Sequence, residues 1–264
     1  MLDSSGATAK PSIRLALGWT GAHEQWRHYT RGYLFFAALA TPLVISVHSV
    51  VSWDFALGVV PGWHTTIFAP YFVAGAIHSG LAMVLTLMIP LRKLFNYQDI
   101  ITINVLQNVS KTIVFTGLIV GLAYGTEYFI AWYSHNTIEM DQFSWRFFGD
   151  YRWGFYFMIL CNTMAPLLFL FKKIRTSIIP LFIISLVVNF GMWWERFVII
   201  VGGVAHGFAP HAWGLYAPSL IEYGIMFGTF CLFFFLFLLF AKHLPSVSMT
   251  EMKETLAEGA GHAA

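Results

Sequence analysis

Apolar residues fall into six long blocks, at 33–53, 68–90, 112–133, 153–171, 177–200 and 219–241, each bounded by charged or turn-forming residues. A hydrocarbon layer about 30 Å thick is crossed by about 20 helical residues, and every block approaches or exceeds that length. The pattern predicts an all-α integral membrane protein with six transmembrane helices. Residues 1–31 then form an N-terminal segment, 32–243 the six-helix transmembrane domain, and 244–264 a flexible polar tail carrying Glu251, Lys253, Glu254 and Glu258. The stretch from Ile100 to Val109 sets Ile101, Val105 and Asn108 on one helical face, and reads as a short separate helix lying in the membrane interface.

The basic residues orient this arrangement. Lys10, Arg14, Arg27, Arg31, Arg92, Lys93, Lys111, Lys172, Lys173, Arg175, Lys242 and Lys253 fall on one side of it, against Arg146, Arg152 and Arg196 on the other. Loops rich in Lys and Arg stay in the cytoplasm, so both termini are expected there, N-in and C-in. Asp54, Glu127, Arg152, Glu195, Arg196 and Glu222 then all lie in or near the outer third of the membrane.

Composition narrows the function. The chain is 58% hydrophobic and 11% charged, where a soluble domain carries about 25% charge, which excludes a soluble globule. A net charge of +2 and the lack of any basic run interleaved with aromatics exclude nucleic acid as a partner. Cys161 and Cys231 sit in apolar runs with no metal-ligand spacing and read as packing residues. Lys10, Arg14, Arg27 and Arg31 break up the first 31 residues, so targeting is assigned to the first membrane helix.

An ionisable group inside a bilayer costs about 2.5–3.5 kcal/mol on insertion scales and needs a partner or a purpose. His48 lies in the first span about two turns from its outer end, with Trp53 and Asp54 following. Six residues turn a helix through about 240°, so His48 and Asp54 do not stack. They read either as proton acceptors for a quinol or as a packing histidine and an interfacial acid. Glu127, one turn beyond Tyr124, reads as a proton relay, as a neutral acid, or as the partner of Arg152 or Arg196 in an ion pair. Asn189, Trp193 and Arg196 share one face of the fifth span, with Glu195 beside it, a polar stripe of the kind that faces a bundle interior. His78, near the middle of the second span, is either internally satisfied or a partner of His48 on a bis-histidine haem b. The depths of the two, roughly 8 Å and 15 Å for His48 and His78 at 1.5 Å per residue, fit one haem poorly. His64, His206 and His211 lie on outer loops without zinc-site spacing and read as structural.

Several segments resemble a known family. They are Leu17-Gly18-Trp19 with Trp26 and Tyr33, Ser46-Val47-His48-Ser49 through Trp53-Asp54-Phe55-Ala56, and Pro61-Gly62-Trp63-His64 through Pro70-Tyr71-Phe72. Tyr124-Gly125-Thr126-Glu127-Tyr128 and Met192-Trp193-Trp194-Glu195-Arg196-Phe197 complete the set. Together they resemble the NrfD-like membrane subunits, which include the polysulfide reductase anchor and, closer still, the ActC type of alternative complex III.

The resemblance implies a multi-pass subunit of the bacterial inner membrane, with no haem or metal of its own, that exchanges electrons with menaquinol or ubiquinol. It further implies a periplasmic iron-sulfur subunit, a multihaem cytochrome c, other membrane subunits and membrane lipid as partners. Family members contain two four-helix bundles, with the quinol site at the outer end of the first. The first span here resembles the last helix of that first bundle. The remaining spans then correspond to the second bundle and a terminal helix. The four preceding helices are missing, as in a fragment or one half of a split subunit. His48 and Asp54 match quinol-site positions, with Trp53 beside them, and Glu127, Glu195, Arg196 and His78 form a candidate proton path. A cofactor-free anchor and an ion-translocating subunit are the rival readings.

Overall fold

The computed structural model describes residues 18–243 and, among them, contains helices and no strands. Six helices are long and apolar enough to cross a membrane: α1 (His23–Ala56), α2 (Phe68–Leu94), α3 (Ile103–Ser134), α5 (Arg152–Leu170), α6 (Ile178–Ala205) and α7 (Leu220–His243). A shorter helix, α4 (Thr137–Phe148), stands between α3 and α5. Residues 1–17 and 244–264, which include Lys10, Arg14, Leu17 and the expected tail, lie outside the described residues.

Two units make up the chain, divided after Gly214. In the first, α2 packs against α3 and α6, and α5 closes the ring by packing against the same two helices. The result is a four-helix bundle in which α3 and α6 face each other across a diagonal. One half of its core is aliphatic, built on Leu85, Leu106, Ile113, Leu181 and Val188. The other half is aromatic, built on Phe68, Tyr71, Phe72, Tyr124 and Phe155. Fully buried polar residues, His78, Asn162 and Glu195, lie along the same core.

α1 stands apart from this packing. Nothing in its most apolar stretch is buried, whereas about two-fifths of the matching stretches of α2, α3 and α6 are. Its contact with α2 is made near the connecting turn, where Ser52 is buried and Phe55 packs edge-on to Trp63 at 5.0 Å. The hydroxyls of Thr41, Ser46, Ser49 and Ser52 all donate to carbonyls of α1 itself. The helix thus presents few unmet polar groups to an apolar surrounding.

α4 and the turn before α2 cover one end of the bundle. His135 takes a left-handed φ of 54° to end α3, and Asn136 caps α4 by accepting from the Ile138 and Glu139 amides at 3.1 and 3.4 Å. Gln142 donates to the Gly202 carbonyl at 3.1 Å, and Trp63 donates to the Ile199 carbonyl at 3.0 Å. Gly62, at φ 81°, lies so close to Arg146 that a β-carbon there would stand 3.2 Å from the guanidinium. In the second unit, Ser219 and Glu222 open α7 with reciprocal bonds to each other's amides, and Tyr216 donates to Glu222 at 2.6 Å.

The separate interfacial helix expected over Ile100–Val109 is not formed. Residues from Ile103 onward are the first turns of α3 itself, and Leu106 is fully buried there. Lys111, expected in the loop before the third span, is exposed on α3 and donates to Asn108.

Candidate functional site

His48 sits on α1 with Nδ1 2.8 Å from the carbonyl of Val44, one turn back. A carbonyl only accepts, so Nδ1 carries a proton, and whenever the ring is neutral Nε2 is left as an acceptor. Trp53 and Asp54 are exposed at the end of the same helix. No hydrogen bond or ion pair joins Asp54 to His48 among the described residues, in keeping with their angular separation.

A second constellation lies in the bundle. Tyr124 on α3 donates to Glu195 Oε2 on α6 at 2.5 Å, across the bundle diagonal. Asn162 on α5 donates from Nδ2 to both the Tyr124 hydroxyl (2.9 Å) and Glu195 Oε2 (3.0 Å). Arg196 places its guanidinium 3.5 Å from Glu195 Oε1 and 4.3 Å from the centre of the Phe72 ring. Tyr71 from α2 packs edge-on to Tyr124 at 5.6 Å. A buried carboxyl is tolerated only when its oxygens are bonded. Oε2 meets that condition, whereas Oε1 and Asn162 Oδ1 are buried without a hydrogen-bond partner.

Asn162 reaches this position because α5 is not a regular helix. Pro166 has no amide hydrogen to return to the preceding turn, and Leu160–Met164 widen into a π-helical turn in which the Ala165 amide bonds the Leu160 carbonyl. The bulge fits against glycines: a β-carbon at Gly191 would collide with Asn162 Oδ1, and one at Gly117 would lie 3.2 Å from the Asn162 carbonyl and 3.0 Å from the His78 ring. His78 is fully buried, with Nδ1 2.9 Å from Thr116 Oγ1 and Nε2 unpartnered. Thr116 in turn reaches the Thr112 and Ile113 carbonyls, at 3.0 and 3.2 Å. His48 and His78 therefore stand in different surroundings, one on the uncovered α1 and the other sealed in the bundle.

Glu127 is buried toward α4, and the cation that acts on it is Arg146. The expected pairing with Arg152 or Arg196 is not made: Arg152 bonds the Phe148 carbonyl and lies over Trp153, while Arg196 stands against Glu195. Both are on the wrong elements to reach Glu127, whereas α4 folds Arg146 over the bundle end, its guanidinium against Phe143. A cleft with room for about one water leads from Glu127 between His64, Thr65, Glu139 and Phe143. Nearby, His206 is held 2.8 Å from Asp141 and stacked between Trp145 and Trp213.

The structure brings Glu195 and Arg196 together and places Glu127 within electrostatic reach of Glu195. His78 stands beside Asn162 in the same bundle, and His48, Trp53 and Asp54 are separate on α1. The stripe of Asn189, Trp193 and Arg196 is displaced from the innermost line of α6, which runs through Ser185, Val188, Met192 and Glu195. It turns toward α2, where Asn189 donates to Thr86 at 2.8 Å. Sequence reasoning missed Tyr71, Asn162 and Arg146. Asn162 four residues before Pro166 was a signal, since a proline at that spacing leaves the asparagine carbonyl without its helical donor. Nothing in the sequence alone pairs Arg146 with Glu127.

A dimethyl sulfoxide reductase membrane subunit of Halobacterium salinarum (strain ATCC 700922 / JCM 11081 / NRC-1) is 37% identical over 78 residues, 29% of this chain. The match spans only 18% of that relative's length. The family model for polysulphide reductase, NrfD, matches residues 7–207, which take in α1 to α6 and every residue of both constellations. The chain is thus a multi-pass membrane protein that belongs to the NrfD family of reductase membrane subunits.

Proposed function

We propose that this chain is the quinol-handling membrane subunit of a respiratory oxidoreductase. Quinol meets α1 at His48, Trp53 and Asp54, and protons move through the bundle by way of Glu127, Glu195, Arg196 and His78. The observation that carries the reading is the 2.8 Å contact of His48 Nδ1 with the Val44 carbonyl. Quinol oxidation releases two electrons and two protons, and a neutral imidazole whose Nδ1 is already engaged by Val44 offers Nε2 as the acceptor. α1 is uncovered along its apolar length, which leaves room for a quinone ring and for the helices of further membrane subunits.

In this reading the α4 end faces the outside of a bacterial inner membrane, beneath an iron-sulfur subunit and a multihaem cytochrome c of the alternative complex III kind. The chain holds no haem or metal of its own, and menaquinol or ubiquinol is its substrate. The buried polar groups from Glu127 to His78 also support a second reading, an ion-translocating subunit, which shares the bundle residues but assigns no chemistry to His48.

The test is steady-state quinol oxidation by membranes carrying the assembled complex at matched content. His48→Ala and Asp54→Asn are each expected to lower turnover at least tenfold, and by up to the about 10²–10⁴ that a lost proton acceptor costs. Glu127→Gln is expected to have a smaller effect. Near-normal turnover in both α1 variants would remove His48 and Asp54 from the chemistry and leave the ion-translocating reading.

A further inference from the structure

We propose that Asn162 is the joint of the bundle's proton path, coupling the protonation of Glu195 to that of His78. The inference rests on the reading of the bundle as a proton path, and it assigns a role to a residue on neither side of the transfer.

Two features of Asn162 lead there. Its side chain is engaged at the acid: Nδ2 donates to Glu195 Oε2 and to the Tyr124 hydroxyl. Its backbone carbonyl lies against Gly117, next to the His78 ring. Pro166 deprives that carbonyl of the donor a regular helix would supply four residues on. One residue therefore bonds the acid with its side-chain amide and acts on the histidine through a backbone carbonyl that a proline leaves without its helical donor. Glu195 Oε1, Asn162 Oδ1 and His78 Nε2 are all buried without a hydrogen bond, Oε1 having only the Arg196 guanidinium 3.5 Å away.

An asparagine amide can answer both states of a carboxyl group. Nδ2–H serves the carboxylate, and Oδ1 serves the protonated acid after the amide turns over. Its Oδ1 lies against Gly191, a position where any β-carbon would collide with it. A proton leaving Glu195 for His78 Nε2 leaves a carboxylate held by Tyr124, Asn162 and Arg196. It creates an imidazolium whose two N–H groups face Thr116 Oγ1 and the Asn162 carbonyl. One O–H bond breaks, one N–H bond forms, and no electrons change hands.

The other ionisable groups around the pair are fixed by the fold. Tyr71 from α2, Tyr124 and Glu127 from α3, and Arg196 from α6 itself act on Glu195. His78 is faced by the Thr116 hydroxyl and by backbone carbonyls of Ile113 and Asn162. Among the described residues no full charge meets His78 directly, so the state of Glu195 reaches it chiefly through Asn162.

The experiment uses the full chain in lipid nanodiscs. The His78 ring is followed through pH by nitrogen NMR of labelled histidine, assigned with His78→Gln, and the Glu195 carboxyl by infrared spectroscopy, assigned with Glu195→Gln. With Asn162 present, Glu195→Gln is expected to move the His78 midpoint by at least about half a pH unit, roughly a threefold change in proton affinity. In Asn162→Leu, and in the smaller Asn162→Ala should the first fail to fold, the same Glu195→Gln change is expected to move it less than a third as far. A purely structural Asn162 would lower thermal stability and leave the coupling intact. Coupling of undiminished size in a folded Asn162 variant overturns the proposal and leaves the proton path standing. Absence of any titration of both Glu195 and His78 over the pH range in which the protein stays folded overturns the proton path, and this inference with it.

Discussion

Tyr124→Phe removes a single oxygen from the hydrogen bond that crosses the bundle diagonal. That hydroxyl donates to Glu195 at 2.5 Å and accepts from Asn162 at 2.9 Å, and Tyr124 is almost wholly buried. Hydrogen bonds to charged groups contribute about 1.5–3 kcal/mol in soluble proteins, but side-chain bonds between membrane helices average only about 0.6, with a maximum near 1.7 kcal/mol. Asn162 still serves Glu195 Oε2 in the variant, so the loss falls between these bounds, at about 1–2 kcal/mol. Tyr128→Phe is the internal control, because the Tyr128 hydroxyl is buried without a hydrogen-bond partner and its removal is expected to cost under about 0.5 kcal/mol or to stabilise. Reversible unfolding in mixed micelles of increasing dodecyl sulfate content measures both. Equal stabilities for the two variants would refute the assignment of Tyr124 as the strut between α3 and α6.

Glycine substitutions test the packing of the π-helical turn. Gly191→Ala drives a β-carbon into both Asn162 Oδ1 and Cys161 Cβ and is expected to cost about 1–3 kcal/mol, whereas Gly125→Ala meets open space and should stay within about 0.5 kcal/mol of the parent by the same unfolding assay. Asn136→Ala removes the cap of α4 and is expected to lower stability by about 1 kcal/mol, with faster hydrogen exchange in the first turn of α4 than elsewhere in that helix. Trp63→Phe deletes the donor to the Ile199 carbonyl, and the same exchange measurement should show the turn at 61–66 opening more readily.

Residue spacing made the membrane spans legible because bilayer thickness imposes one length on all of them. It failed where a helix outruns the bilayer. α3 begins at Ile103, well before the apolar block at 112, since a polar face with Lys111 outward costs nothing beyond the hydrocarbon while Leu106 and Ile113 still pack inward. α4 escaped notice because twelve residues with Glu139, Asp141 and Arg146 look like a loop until their buried face, Gln142, Phe143 and Arg146, has a bundle end to cover. The acids were legible as costly, and Glu195 and Glu127 do lie buried. Their partners were not, because Tyr124, Asn162 and Arg146 meet them through tertiary packing between elements 33 or more residues apart in the chain for Glu195, a relation that helical periodicity does not encode. His48 is the opposite case: its bond to Val44 is local, and its i, i−4 spacing is present in the sequence.

The central claim is that quinol is handled on α1, and the most direct test is to map where a photoactivatable quinone attaches in the assembled complex, with excess quinone as competitor. The account predicts competed labelling of the α1 peptide that includes His48, Trp53 and Asp54, reduced at least tenfold by His48→Ala. Competed labelling confined to other peptides, with α1 untouched, would contradict it.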